Sequence, residues 1–224
     1  IASAASYKPN LTVHTQAMDR KSMQRLKDAG LDSLSVQTEA WEPHIFKAVC
    51  PGKAKHASYE AWLEAAQEAV DVFGAGNVGQ KIIAGLSMMP ENGHKTWQES
   101  LASHIEGNSW MIKNGIIPNF TNLRLPPGSV YAADQSLREK LPPTEYYLDL
   151  MKAHDEDMLE HGLYEKINRL FKCGLDCASG PYSCEIGMLS VAGDVGTWMG
   201  SVVPYEFNWL AQFLDSIKST AKTE

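Results

Sequence analysis

Three cysteines near the C-terminal end of the chain are spaced closely enough to bind one metal centre. They are Cys173, Cys177 and Cys184, and the residues between them are mostly small or turn-forming, such as Gly174 and Pro181. Thiolates on such a loop can converge on an iron–sulfur cluster or a zinc ion. Three ligands leave one coordination position open. The alternative is that these thiols are reduced and partly buried, with no metal bound.

A second group of candidate residues lies where polar side chains follow strand-like apolar runs. Its members are His14, Thr15, Gln16, Gln37, Glu39, Ser87, Asn119, Thr121 and Arg124. If the strands are parallel, these residues meet at one rim, because the carboxyl ends of parallel strands gather the ligand-binding loops. A carboxylate, amides and a guanidinium there could bind a zwitterionic ligand with hydroxyl groups. For any single residue, the alternative is that it caps a helix or satisfies loop backbone.

The segment from Cys50 to Lys53 is a third candidate, because a cysteine beside a lysine could be an activated thiol. No histidine is placed by the sequence to act as its base, so a structural loop is the favoured interpretation. The histidines outside the strand ends lack metal-binding spacing and are expected at the surface or at helix ends. They are His44, His56, His94, His104 and His161.

Four strand–helix units in series are expected to position these residues. The strands are predicted at 11–14, 34–37, 81–86 and 116–123, and a long loop is expected between the second strand and Ser58. Ser58 and the Thr96-x-x-Glu99 capping box mark helix starts. Connections this long force parallel pairing with right-handed crossovers. Because no Gly-x-Gly-x-x-Gly follows a strand, a (β/α) barrel section is preferred to an open doubly wound sheet.

The expected fold class is therefore α/β, a partial (β/α) TIM-type barrel with parallel strands whose N-terminal units are missing from this chain. Residues 1–162 are expected to form this barrel part. Residues 163–224 are expected to form a C-terminal extension with the cysteine loop and a closing helix. The chain begins at Ile1, which favours a processed chain or part of a longer polypeptide.

Composition and net charge limit the classes of partner and the cellular setting that are expected. A chain of 224 residues with 44% hydrophobic content suits one α/β domain. The net charge of −7 argues against a nucleic-acid partner and favours a small-molecule substrate. No apolar stretch suggests a membrane span or a signal peptide. Four unevenly spaced cysteines indicate a reducing, cytoplasmic setting. The sequence leaves the oligomeric state open.

Several of these segments, taken together, resemble the biotin-synthase-like branch of the radical SAM superfamily. They are LKDAGLDSLSVQTEAW, CPGK, the helix EAWLEAAQEAVDVFGAGNV leading to KIIAGL, and NLRLPPGS, within residues 11 to 128. The resemblance implies a partial TIM barrel that holds S-adenosylmethionine (SAM) against a 4Fe–4S cluster. It also implies a 5′-deoxyadenosyl radical that abstracts hydrogen from a small metabolite or cofactor precursor. The implied electron donor is a flavodoxin or a ferredoxin.

The same resemblance assigns roles to the residues at the strand ends. Glu39 falls where such enzymes place a polar SAM contact, and Ile83 and Gly85 fall on a strand segment that packs near adenine. Asn119, Thr121 and Arg124 lie where contacts to SAM or substrate are expected. The full set of expected cofactor-binding residues is His14, Gln37, Glu39, Ile83, Gly85, Asn119, Thr121 and Arg124. No catalytic residue is named by the sequence.

The chain departs from the superfamily pattern at its signature. The Cys-x3-Cys-x2-Cys motif and the glycine-rich SAM motif are absent from the sequence, so the ligands of the SAM cluster are expected upstream. Cys173, Cys177 and Cys184 would then bind an auxiliary iron–sulfur cluster or zinc. The alternative function is a non-catalytic accessory barrel protein whose thiol loop binds zinc or a cluster. A conventional barrel lyase or hydrolase is disfavoured, because no acid–base pair can be named at adjacent strand ends.

Overall fold

Four parallel strands form one sheet, and each strand pairs with the next one along the chain. The strands are β1 (Thr12–Thr15), β2 (Ser33–Glu39), β3 (Val78–Ala84) and β4 (Ile116–Asn122). This computed structural model describes residues 11–163, apart from 124, 126–127, 129–130 and 138. Sequential order of parallel strands is the arrangement of a (β/α) barrel section, whereas a doubly wound sheet reverses its order. The predicted α/β class and the barrel-type parallel arrangement are confirmed.

Six α-helices occur in the described part of the chain. They are α1 (Arg20–Asp28), α2 (Pro43–Val49), α3 (Pro51–His56), α4 (Tyr59–Phe73), α5 (Trp97–Lys113) and α6 (Thr144–Glu160). Short 3-10 turns cover Leu86–Met88, Tyr131–Ala133 and Gln135–Leu137. The long loop predicted before Ser58 is wrong, because this region contains α2 and α3. Both begin with a proline, whose fixed φ suits the first helical position.

One face of the sheet is covered by helices and forms the core. The buried strand residues on this face are Leu34, Val36, Val78, Ile82, Ala84, Ile116 and Phe120, and they pack with Trp62, Ala66, Ala69, Met111, Tyr146 and Leu150 of α4, α5 and α6. Full burial of a large apolar side chain contributes about 1.5–3 kcal/mol, so this layer fixes the helices on one side of the sheet. We call this side the helix-covered face.

The start of α5 depends on a reciprocal capping interaction. The Thr96 side chain accepts a hydrogen bond from the Glu99 backbone at 3.2 Å, and the Glu99 carboxylate accepts from the Thr96 backbone at 3.1 Å. Replacement of Thr96 by alanine should lower the free energy of unfolding by about 1 kcal/mol. Thr144→Ala at the start of α6 is the control, because α6 has no side-chain cap. Urea unfolding of both variants measures the difference. Equal losses would contradict the capping role.

Candidate ligand-binding site

The face of the sheet opposite the helices carries four of the predicted polar site residues, His14, Gln37, Asn119 and Thr121. Side chains alternate along a strand, and paired residues of parallel strands point to the same side. Lys81 pairs with Asn119, and Ile83 pairs with Thr121. These positions alternate with the core residues of β3 and β4, so their side chains point away from the helix-covered face. We call this side the polar face. Its polar members are Thr12, His14, Ser33, Ser35, Gln37, Lys81, Asn119 and Thr121. In a (β/α) barrel this side of the strands faces the interior.

The structure brings His14 and Gln37 into direct contact. Nε2 of Gln37 lies 2.6 Å from Nδ1 of His14. An amide nitrogen can only donate, so Nδ1 of His14 accepts this hydrogen bond. His14 is exposed and Gln37 is half-buried. Two residues predicted from separate strand ends therefore form one hydrogen-bonded pair.

Asn119 and Thr121 lie on the same face, two strands away from Gln37. Asn119 is 3% exposed, whereas Thr121 and Ile83 are half-buried. Adjacent strands are about 4.8 Å apart, so β2 and β4 are separated by roughly 10 Å. A ligand of that length could contact the amide of Gln37 at one end and the hydroxyl of Thr121 at the other. Arg124, predicted at the same strand end, lies outside the described residues.

Glu39 ends β2 in an unusual backbone conformation. Its φ is 71°, and the register between β2 and β3 shifts between Val36 and Glu39. Non-glycine residues with positive φ are uncommon and often occur at functional sites. Nζ of Lys53 donates hydrogen bonds to Oε1 of Glu39 at 2.8 Å and to the backbone oxygen of Gln37. The Glu39 carboxylate is thus held by a lysine at the carboxyl end of the strand, and its role toward a cofactor stays a prediction.

Lys53 is a residue of this strand end that the sequence reasoning missed. The sequence offered Lys53 only as a neighbour of Cys50. Its ammonium group also lies 5.3 Å from the centre of the Trp62 ring, which fixes the side chain between the core and the strand end. Burial raises the pKa of the Cys50 thiol, and the nearby Lys53 charge opposes this only partly. A raised pKa disfavours the thiolate, which supports the structural interpretation of this segment.

Gly85 has a clear packing role at the end of β3. Its φ is +89°, its backbone nitrogen donates to the Tyr146 hydroxyl at 3.1 Å, and a Cβ there would lie 2.7 Å from Cγ of Pro142. The contact with adenine that the resemblance implies for Gly85 stays a prediction. The metal-binding prediction for Cys173, Cys177 and Cys184 lies outside the described residues.

Two buried histidines lie between α5, α6 and β4. His104 is 2% exposed and donates from Nδ1 to the Ser100 carbonyl at 2.7 Å, so the surface position predicted for it is wrong. His154 is 3% exposed and donates from Nδ1 to Oδ1 of Asn108 at 2.8 Å. Asn108 in turn donates to Asp157 at 2.7 Å. Burial lowers the pKa of His154 to about 4, so the side chain is neutral at pH 7.

The depressed pKa of His154 predicts an acid-sensitive fold. The unfolded chain binds a proton near the ordinary histidine pKa of about 6.5, whereas the folded chain does so only near pH 4. The stability contribution is therefore complete above about pH 6.5 and is lost as the pH falls toward 4. We expect protonation of this residue to lower the free energy of unfolding by about 2 kcal/mol between pH 7 and pH 4.5. Urea unfolding at both pH values should show a smaller difference for His154→Gln than for the wild type. An unchanged difference would contradict the assignment, and His161→Gln is the control.

Each helix in the described part of the chain is too short or too polar to cross a membrane bilayer.

Comparison with known proteins relates the chain to an enzyme. No family model matches the sequence. The chain is 32% identical over 112 residues to Bacteriochlorophyllide c C-7(1)-hydroxylase from Chlorobaculum limnaeum. This match covers 50% of the chain and 25% of the relative, so the chain spans about a quarter of the length of the hydroxylase. The protein is a distant homologue of an enzyme over half of its sequence.

The structure also overlaps with that of a morphinone reductase mutant in complex with tetrahydroNAD. The TM-score is 0.38 with 19% sequence identity, over 60% of this chain and 34% of that chain. An overlap of this extent supports no conclusion about function.

Proposed function

We propose that the protein containing this chain is a radical SAM enzyme that acts on a small metabolite or cofactor precursor. In such an enzyme, a 4Fe–4S cluster and SAM together supply a 5′-deoxyadenosyl radical that removes a hydrogen atom from the substrate. The observation that carries the proposal is the polar face, on which predicted cofactor residues from β1, β2 and β4 share one side of the sheet. The relation to the hydroxylase and the segment resemblance over residues 11 to 128 support it.

The polar face fits the functional groups of SAM. Gln37 and Asn119 offer amide donors and acceptors, Thr121 offers a hydroxyl, and Lys81 offers an ammonium group. These groups can bind the amino acid carboxylate and the ribose hydroxyls of SAM through hydrogen bonds, of which those to charged groups are the stronger. Ile83 lies beside Thr121 and provides an apolar surface for a flat ring. In this proposal the face binds and orients SAM, and the helices on the other side hold the strands in register.

The described residues do not fit the ligand set of a 4Fe–4S cluster. Among them Cys50 is the single cysteine, and burial raises the pKa of its thiol. The ligands of the SAM cluster are therefore proposed to lie elsewhere in the protein. Cys173, Cys177 and Cys184 are proposed to bind an auxiliary iron–sulfur cluster or zinc, and a flavodoxin or ferredoxin is proposed as the electron donor.

The name of the relative suggests the kind of bond that is broken. It describes hydroxylation of a carbon position in a bacteriochlorophyllide. Hydroxylation of a carbon must break a carbon–hydrogen bond, which agrees with hydrogen abstraction as the first chemical event. We extend only this feature to the present protein, and the substrate class remains a small metabolite or cofactor precursor.

The test is SAM cleavage by the natural polypeptide that contains this chain. The protein would be purified without oxygen, supplied with iron and sulfide, reduced, and mixed with SAM. We expect a brown protein that releases 5′-deoxyadenosine, measured by mass spectrometry. A colourless protein that contains zinc or no metal, and releases no 5′-deoxyadenosine, would contradict the proposal. That result would favour the accessory barrel protein.

A further inference from the structure

A carboxylate and two imidazoles come together in the connections that follow β2 and β3. Glu42 precedes α2, and His94 lies between β3 and α5. Oε1 of Glu42 is 3.2 Å from Nε2 of His94, and Oε2 is 3.6 Å from Nε2 of His44. The side chains of Glu42 and His94 are 24% and 17% exposed, whereas that of His44 is 51% exposed. The group lies at the carboxyl rim of the sheet, where (β/α) folds place their ligand sites.

Polar atoms of this group are buried without hydrogen-bond partners among the described residues. They are Oε2 of Glu42 and Nδ1 of His94. The hydroxyl of Tyr59 is also buried without a hydrogen-bond partner among these residues. Burial raises the pKa of Tyr59, and the negative charge of Glu42 raises it further. Native proteins leave few buried polar atoms unpaired, and each such atom calls for an explanation such as a bound ion or water. Here one of the unpaired atoms, Oε2 of Glu42, belongs to the carboxylate that both imidazoles contact.

The backbone holds two of the three side chains in place. The backbone nitrogen of His94 donates to the Ser87 carbonyl at 3.0 Å. A Cβ at Gly93 would lie only 2.2 Å from the same carbonyl oxygen, so this turn accepts no larger residue without a shift. Glu42 is the N-cap residue of α2 and is followed by Pro43. His44 has the most exposed side chain of the three, at 51%.

We infer that Glu42, His44 and His94 bind a divalent transition-metal ion such as zinc. Zinc bonds of about 2.0–2.1 Å in a tetrahedron place neighbouring ligand atoms about 3.3 Å apart, close to the 3.2 Å between Glu42 and His94. Nε2 of His44 lies 3.6 Å from the other carboxylate oxygen, and the ligand atoms of the three residues are not all within 4.8 Å of one another. Two imidazoles and one carboxylate are a common ligand set for zinc and for non-haem iron. The imidazoles contact different carboxylate oxygens, so binding requires the exposed His44 ring to rotate toward the ion. The sequence did not show this site, because His94 lies 50 residues after His44 in the chain.

Zinc titration of the chain tests the inference. The chain would carry Cys173→Ser, Cys177→Ser and Cys184→Ser, so that the thiol loop cannot bind the ion. Calorimetry should then show one zinc ion bound, and binding should be at least about tenfold weaker in His94→Gln and in Glu42→Gln. His44→Gln changes a half-exposed side chain and should weaken binding without loss of the fold, as checked by circular dichroism.

A second cluster of the chain provides the matched control. Asp157, Glu160 and His161 place ligand atoms within 4.8 Å of one another, but Asp157 already accepts hydrogen bonds from Asn108 and Ser109. His161→Gln should leave zinc binding unchanged. The inference is wrong if zinc does not bind, if His44→Gln and Glu42→Gln bind it as tightly as the starting chain, or if His161→Gln abolishes binding. The titration contains no SAM and no reductant, so its outcome is independent of the proposed function.

Discussion

Replacement of Thr121 by valine together with Gln37 by leucine should lower SAM-dependent formation of 5′-deoxyadenosine by about 100-fold or more. Both changes keep the approximate size of the side chain and remove its hydrogen bonds from the polar face. A hydrogen bond to a charged group contributes about 1.5–3 kcal/mol, so loss of two such bonds corresponds to at least this factor. The measurement is kcat/KM of the reduced protein for SAM, together with the affinity for SAM by calorimetry.

The matched control for this double variant is Thr15→Val. Thr15 pairs with Val36 and therefore belongs to the helix-covered face, whereas Thr121 lies on the polar face. The same threonine-to-valine change should alter kcat/KM by less than about twofold at Thr15. An equal loss in Thr15→Val would indicate a general effect on the fold. Retention of activity in the double variant, with SAM still bound, would contradict the role of the polar face.

Replacement of Gly85 by alanine should lower the free energy of unfolding by about 2–5 kcal/mol. A left-handed conformation costs a non-glycine residue about 1–2 kcal/mol, and overpacking adds about 1–3 kcal/mol. Both apply here, since φ is +89° and the new Cβ would lie 2.7 Å from Pro142. Urea unfolding monitored by tryptophan fluorescence measures the change.

Gly30→Ala separates the two contributions to this loss. Gly30 has a φ of +100°, but a Cβ there would have no neighbour within 4 Å. Gly30→Ala should therefore lower the free energy of unfolding only by the cost of the left-handed conformation, about 1–2 kcal/mol. Pro142→Ala in the Gly85→Ala background should recover part of the difference. If Gly85→Ala proves as mild as Gly30→Ala yet weakens SAM binding, the glycine serves the cofactor rather than the packing of α6.

The sequence predicted the parallel sheet and much of the candidate site for one physical reason. Side chains alternate along strands, so the polar positions His14, Gln37, Asn119 and Thr121 are recognisable once the strands are located. The reciprocal cap at Thr96 was predictable because it depends on residues close in the chain. Features with local causes were therefore within reach of the sequence.

Features that depend on distant contacts or on ambiguous local signals were not predictable. Pro51 and Gly52 indicated a loop, but Pro51 begins α3. This helix places the ammonium group of Lys53 beside the Glu39 carboxylate. The third strand begins at Val78, because Gly79 at the end of the glycine-rich run belongs to the strand, whereas the turn lies earlier, at 75–76. His104 looked like a surface residue because nothing near it in the sequence shows that α6 covers α5. The proximity of Glu42 and His94 arises only when two connections meet at the rim.

The side-chain amides of the sheet offer the most direct test of whether the polar face binds SAM. Nuclear magnetic resonance of the nitrogen-15-labelled protein would follow Gln37 and Asn119 during addition of SAM. Gln67 and Asn114, which bond to each other at 2.8 Å on the helical side, serve as references. We expect the signals of Gln37 and Asn119 to shift in a saturable manner while the reference signals stay in place. Saturable SAM binding that leaves Gln37 and Asn119 unshifted would contradict the account.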